Sequence, residues 1–213
     1  MKTILCYGDS NTYGYNPYNG LRYPKKERWT TILGEYLKGD YKVIAEGLNG
    51  RTTAFDRDNE DSRNGLKHLK PIFNSHRPID ILVFMLGTND CNKQLKLTPN
   101  MICDGMEQLI VEAKKVANEK QGFIPKIIVV TPAAILGDYK DSPFIDELDE
   151  EAIYKSHQLS SLYKELATKE NCINLDCTNC LEVSPLDCEH LTKKGHQKLA
   201  ELLAGIINNE NNN

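Results

Sequence analysis

Hydrophobic positions along this chain follow two alternating patterns. Five short apolar runs, at 3–7, 41–45, 79–85, 126–131 and 172–175, read as strands. The third and fourth are rich in Ile, Leu and Val and show no apolar–polar alternation. A run that is apolar at every position suits a parallel strand covered on both faces. Between the runs, apolar residues recur at helical spacing. Trp29, Ile32, Leu33 and Tyr36 predict a helix over 29–38, and Leu66, Leu69 and Phe73 predict one over 66–75. A longer pattern from Ile102 to Ala117 predicts a helix over 98–120, with Thr98 as N-cap and Pro99 in the first turn. Leu159, Leu162, Tyr163 and Leu166 mark 152–169, and Leu199, Leu202, Leu203 and Ile206 mark 192–208. The polar tail 208–213 is expected to fray.

This alternation predicts the α/β class, with a five-stranded parallel sheet between two layers of helices. No internal repeat or Gly/Ser linker divides the chain, so 1–213 reads as a single domain, long enough for a full core. The segment 132–151 is too long for a plain connector, which points to a functional role or an interface.

Charge narrows the function classes. The net charge of -4, with lysines mixed among acids, offers no basic face for nucleic acid and no polybasic patch for a membrane. No stretch approaches the length of a transmembrane helix, and the N-terminal apolar run is too short for a signal-peptide core. The expectation is a cytoplasmic protein whose seven cysteines are reduced thiols. Cys177 and Cys180 have zinc-like spacing, but no second C-x-x-C accompanies them, so no metal is expected. Cys172, in a strand-like stretch, reads as a buried thiol.

Candidate chemistry sits at the ends of the predicted strands. Gly8-Asp9-Ser10-Asn11 follows the first, Asn49-Gly50 the second and Gly87-Thr88-Asn89-Asp90 the third; Asp187-Cys188-Glu189-His190 precedes the last helix. Ligands of open α/β sheets bind at the carboxyl ends of strands. A serine nucleophile needs a base, a partner that orients the base, and donors for the oxyanion. Ser10 can be the nucleophile, His190 the base and Asp187 its partner. The Ser10 and Gly50 N–H groups and the Asn89 amide can serve the oxyanion. Each piece also has a plain structural reading: Gly-Asp-Ser and Asn-Gly are turn chemistry, and Thr192 can cap the last helix with His190 at the surface before it. It is their joint placement that points to acyl transfer.

In these blocks the chain resembles an SGNH (GDSL-type) hydrolase. Gly8-Asp9-Ser10, Gly50, Gly87-Thr88-Asn89-Asp90 and the D-x-x-H block fall in that family's order over nearly the whole length. Arg28-Trp29-Thr30, Glu46–Thr53, Met85–Asp90, His190-Leu191-Thr192 and Gly195-His196 are most similar to the bacterial arylesterase/acyltransferase branch. The resemblance implies a flavodoxin-like three-layer α/β/α sandwich, no metal or cofactor, and ester hydrolysis through an acyl-serine. It implies Ser10, Asp187 and His190 as the triad, and Ser10, Gly50 and Asn89 as the oxyanion hole. The partner it implies is a small-molecule ester, and it leans toward a homo-oligomer. Position 11 is Asn where many members carry Leu or Ile, a change expected at the rim of the pocket rather than at the triad. Cys188 and Glu189 fill variable positions.

The neighbourhood yields further expectations. Tyr13 and Tyr15 are candidates for the substrate wall, against packing of their own loop, and so is Tyr18. Arg51 reads as structural. Asp9 and Asp90 should fix loops by accepting backbone N–H bonds. His196 reads as a helix-surface residue, and His68, His76 and His157 carry no motif. The main reading is a serine esterase for small or medium acyl esters, with acyl transfer to alcohols in view. The alternatives are a carbohydrate O-deacetylase of the same fold and, more distantly, a non-catalytic flavodoxin-like binding protein.

Overall fold

A computed structural model describes residues 1–57 and 61–210. Five parallel strands form one sheet in the order β2-β1-β3-β4-β5. They are β1 (Lys2–Gly8), β2 (Tyr41–Gly47), β3 (Ile81–Met85), β4 (Lys126–Thr131) and β5 (Ile173–Asp176). The helices are α1 (Ser10–Tyr13), α2 (Trp29–Tyr36), α3 (Gly65–His76), α4 (Pro99–Gln121), α5 (Glu150–Lys169) and α6 (Lys193–Glu210).

The non-alternating strands have the predicted cause. Leu5, Tyr7, Leu82, Phe84, Ile127 and Val129 point to one face and pack against Leu69 and Phe73 of α3, Met106 and Leu109 of α4, and Leu159 and Tyr163 of α5. Ile4, Cys6, Val83, Met85, Ile128 and Val130 point to the other and meet Trp29 and Leu33 of α2 and Leu199 and Leu203 of α6. Both faces are therefore apolar, and a water-facing alternation has no place. Helices on both faces make the three-layer α/β/α sandwich.

Element ends differ from the sequence reading where side chains act as caps. Asn64 Oδ1 accepts from Lys67 N at 3.2 Å and starts α3 at Gly65. Thr98 Oγ1 accepts from Met101 N at 3.2 Å, as its position before Pro99 predicts. Asp149 Oδ1 accepts from Ala152 N at 2.7 Å, so α5 begins at Glu150. The third strand starts at Ile81 rather than at 79. Cys172 stays outside β5 and is half-buried rather than buried. The polar tail is not wholly frayed: α6 continues through 208–210, while 211–213 lie outside the described residues. Among the described residues no helix is long and apolar enough to cross a membrane.

The order β2-β1-β3 makes the carboxyl end of β1 a switch point, because the chain leaves it first to one side and later to the other. In open α/β sheets this is where a crevice forms. The loops after β1, β2 and β3 meet there. The turn after β1 seats directly on Gly47, where a Cβ would stand 2.0 Å from Tyr13 N. Only glycine allows that approach.

Candidate active site

Ser10 opens α1, and Asp9 is its N-cap, with Asp9 Oδ1 accepting from Asn11 N at 2.9 Å. Capping fixes the turn that carries the hydroxyl. His190 Nε2 lies 2.8 Å from Ser10 Oγ, across nearly the whole sequence. His190 Nδ1 lies 2.9 Å from Asp187 Oδ2. With Nδ1–H donating to the carboxylate, Nε2 is left to accept from the Ser10 hydroxyl. All three residues are buried.

The D-x-x-H block owes this geometry to a tight turn. Cys188 takes φ +71, an uncommon conformation for a residue with a Cβ. Its N–H donates to Ser184 O at 2.9 Å, and its carbonyl accepts from Leu136 N at 2.9 Å. The turn lets Asp187 Oδ1 accept from His190 N at 3.1 Å while Oδ2 takes the ring. One carboxylate thereby sets both the backbone and the imidazole of His190. Thr192 Oγ1 accepts from Gly195 N at 3.2 Å at the start of α6, so the cap and the site residue coexist.

Asn11 corrects the expectation that position 11 shapes only the pocket rim. It is buried, donates from Nδ2 to Glu189 O at 3.1 Å and accepts at Oδ1 from Leu191 N at 2.9 Å. Both peptide units that flank His190 are tied to the residue after Ser10. Trp29 Nε1 donates to Asn11 O at 3.1 Å and holds that backbone in turn.

Gly50 has φ +78, and a Cβ there would sit 2.9 Å from Arg63 Cδ. Asn89 donates from Nδ2 to Arg51 O at 3.1 Å and accepts at Oδ1 from Arg57 at 3.1 Å. Arg57 thus decides which end of the amide is NH2. Arg57 also pairs with Glu147. Ser10, Gly50 and Asn89 line a common cavity of about 210 Å³ with Tyr15, Arg57, Glu147 and His190 among its walls. Phe144 and Glu147 come from the 132–151 segment, which gives that long loop a place in the site. Ser142 Oγ of the same loop donates to Asp187 O at 2.8 Å.

Tyr15 packs its ring 4.3 Å from that of His190, and Phe144 lies 5.6 Å from it. Tyr13 is placed elsewhere: its ring lies under Arg22 at 4.1 Å and is not among the residues around the cavity. Tyr18 is exposed. Arg51 is buried, donates to the carbonyls of Gly8 and Glu46, and stacks 4.1 Å over Tyr7, which is a structural role. Asp90 accepts from Thr53 N at 3.0 Å and ties the second loop to the third. His196 is fully buried, against the surface expectation. Its Nδ1 accepts from Trp29 N at 3.4 Å, and it meets Tyr23 edge-on at 5.2 Å. His76 lies 2.7 Å from Glu46, away from the site.

Burial shapes the electrostatics. It would lower the His190 pKa, but the Asp187 hydrogen bond and the carboxylates of Glu189, Asp187 and Asp9 outweigh it, and the net shift is upward. Burial pushes Asp9 up to about 6, opposed by its bond from Asn11 and by His190. Glu189 rises to about 7, mainly through burial, with Glu147 and Asp187 adding to it. Burial holds His196 down to about 3. Arg57, Glu147 and Phe144 were not singled out from sequence, because no local motif marks a residue that reaches a pocket from a distant loop; Glu189, a variable position of the D-x-x-H block, also lines the cavity. Among the described residues no group of three or more His, Cys, Asp or Glu side chains could hold a metal ion.

A family model described as GDSL-like lipase/acylhydrolase matches residues 4–203. Over 98% of this chain and 99% of the other, the structure is similar to a carbohydrate acetylesterase from Sinorhizobium meliloti, with 32% identity and a TM-score of 0.91. An aryl esterase from M. smegmatis is similar over 98% of this chain and 99% of its own, with 30% identity and a TM-score of 0.90. A curated relative, an uncharacterized lipoprotein YqeF of Bacillus subtilis, is 33% identical over 87 residues, which span 41% of this chain and only 31% of that protein.

Proposed function

The chain belongs to the GDSL-like lipase/acylhydrolase family, and with it to the carboxylic ester hydrolases, and we propose that it is a serine esterase acting on small or medium acyl esters through an acyl-Ser10 intermediate. One observation carries this reading: the unbroken chain from Ser10 Oγ to His190 Nε2 at 2.8 Å and from His190 Nδ1 to Asp187 Oδ2 at 2.9 Å.

Ser10 Oγ attacks the ester carbonyl carbon as its proton passes to His190 Nε2. Asp187 keeps the ring in the accepting tautomer and stabilises the imidazolium that forms. The negative oxygen of the tetrahedral species is met by the N–H groups of Ser10 and Gly50 and by the Asn89 amide, whose orientation Arg57 fixes. Collapse expels the alcohol, which takes the proton from His190. Water, deprotonated by the same ring, then releases the acid. An alcohol in place of water gives acyl transfer by the same steps.

Ser10→Ala is expected to lower kcat on p-nitrophenyl acetate by several powers of ten, with residual catalysis left by the oxyanion donors. Undiminished hydrolysis by that variant would sink the assignment.

A second reading is deacetylation of carbohydrate esters. It is supported by the likeness to the S. meliloti carbohydrate acetylesterase and by the polar wall of Asn49, Arg57, Glu147 and Glu189, which offers hydrogen bonds to hydroxyl groups. Faster turnover of acetylated xylose than of simple aryl acetates would favour it, and the reverse order would favour the aryl ester reading. The cytoplasmic setting and a homo-oligomeric state go with the main reading, and light scattering of the purified protein checks the second.

A further inference from the structure

The C-x-x-C after β5 takes no part in the ester chemistry, yet its two thiols are brought together. Cys180 N donates to Cys177 O at 3.4 Å and closes a turn directly after the strand. A β-turn holds its first and fourth Cα atoms within about 7 Å, and a disulfide spans Cα separations of about 4.4–6.8 Å. The two side chains neighbour each other, and Cys180 Sγ donates to Asp176 O at 3.7 Å. Cys177 is fully buried beneath α6, in the cluster with Val183, Leu191 and Leu199, whereas Cys180 is exposed. Asp176 braces the turn, its Oδ1 accepting from Thr178 N at 3.0 Å and from Thr178 Oγ1 at 2.6 Å. The pair therefore has one exposed residue and one buried residue at the two ends of a single turn.

The remaining cysteines lack this arrangement. Cys6, Cys91 and Cys188 are buried, and Cys103 and Cys172 are half-buried. Cys91, Cys103, Cys172 and Cys188 each direct the thiol to a backbone carbonyl, as Cys180 does to Asp176 O at 3.7 Å, but none shares a turn with a second cysteine three residues away.

We propose that Cys177 and Cys180 form a redox-active dithiol that low-molecular-weight disulfides oxidise to an internal Cys177–Cys180 disulfide. The Cys180 thiol loses its proton to solvent, and the thiolate attacks one sulfur of the reagent RSSR. The reagent S–S bond breaks, RS⁻ leaves and takes up a proton, and Cys180 carries a mixed disulfide. Cys177, deprotonated in its turn, attacks the Cys180 sulfur. The protein disulfide forms and the second RS⁻ departs as RSH. In sum two protein thiols lose two hydrogens, and one RSSR becomes two RSH. Burial pushes the Cys177 thiol up, which slows the second step, and contact with Cys180 compensates through proximity.

The test uses the full chain and oxidised glutathione. After acid quench, the protein is alkylated with N-ethylmaleimide in denaturant, and tandem mass spectrometry locates the blocked cysteines. The expected result is loss of alkylation at 177 and 180 only, with no retained glutathione and full recovery on dithiothreitol. Cys177→Ser should instead retain glutathione on Cys180, and Cys180→Ser should leave position 177 alkylatable. The second variant changes an exposed residue, so it carries the test even if the buried one does not fold. Alkylation of all seven cysteines, a lasting glutathione adduct on wild-type Cys180, or pairing of either residue with a third cysteine would each overturn the proposal.

Discussion

Asn11 holds His190 from both sides: its amide donates to the carbonyl before that residue at 3.1 Å and accepts from the N–H after it at 2.9 Å. The turn that carries Ser10 and the His190 ring are therefore tied together, although 180 positions separate Ser10 from His190. A misplacement of about 1 Å can cost on the order of a hundredfold in rate. Asn11→Leu should lower kcat by roughly ten- to a hundredfold with KM little changed, and Asn11→Asp, which keeps the acceptor for Leu191 N but sets a carboxylate oxygen against Glu189 O, should not restore it. Steady-state kinetics on p-nitrophenyl acetate decide it, and equal rates for all three proteins would remove the positioning role.

Gly50 combines φ +78 with a Cβ position 2.9 Å from Arg63 Cδ. Arg63 can move aside, but the backbone conformation remains strained for alanine. Gly50→Ala should turn its N–H away from the oxyanion and cost about 10²–10³ in kcat, the range for one lost donor. Circular dichroism should show an intact fold. A variant with wild-type kcat would mean that this N–H does not serve the oxyanion.

Arg57 orients the Asn89 amide through a 3.1 Å bond to Oδ1 and pairs with Glu147. The double change Arg57→Met with Glu147→Gln keeps the local charge balanced and frees the amide to flip. The expected loss is roughly tenfold in kcat, less than for removal of a donor because the amide still samples the working orientation. A change confined to KM would assign Arg57 to substrate binding instead.

The raised pKa of His190 fixes a pH limb. The base must be neutral, so kcat/KM should rise with pH through a midpoint above the usual histidine value of about 6.5. Asp187→Asn removes the hydrogen-bonded charge, so the limb should move to lower pH while kcat falls by about 10⁴. A pH–rate profile of each protein checks both, and a wild-type midpoint below 6.5 contradicts the assignment.

His196 makes the opposite prediction for stability. Its folded pKa is depressed to about 3 by burial, so the unfolded chain binds a proton that the native state refuses. Its contribution is thus present above about pH 6.5 and is lost as pH falls toward 3, by on the order of a few kcal/mol. His196→Gln keeps an acceptor for Trp29 N and removes the titration. Urea melts at pH 7 and pH 4.5 should show a smaller acid-induced drop in the variant, and identical drops would contradict the burial argument.

Local pattern was sufficient for the five strands and the five longer helices, but not for the short α1. Runs apolar at every position, such as 81–85 and 127–130, can only be covered on both faces, and that implies helices on both sides of a parallel sheet. Caps such as Thr98 before Pro99 are equally local. The triad and oxyanion candidates were legible because each occupies the end of a strand or the start of a helix, and the sheet brings those ends together. What tertiary structure alone decided depends on contacts between distant segments. Asn11 binds the peptides around His190, His196 is buried beside Trp29 and Tyr23, and Tyr13 turns to Arg22 while Tyr15 covers His190. Arg57 and Glu147 reach the cavity from loops on opposite sides of β3 in the sequence. Period and turn chemistry are set by neighbours a few residues apart, whereas the direction of a polar side chain is set by whichever unpaired donor or acceptor the fold places within 3 Å or so of it.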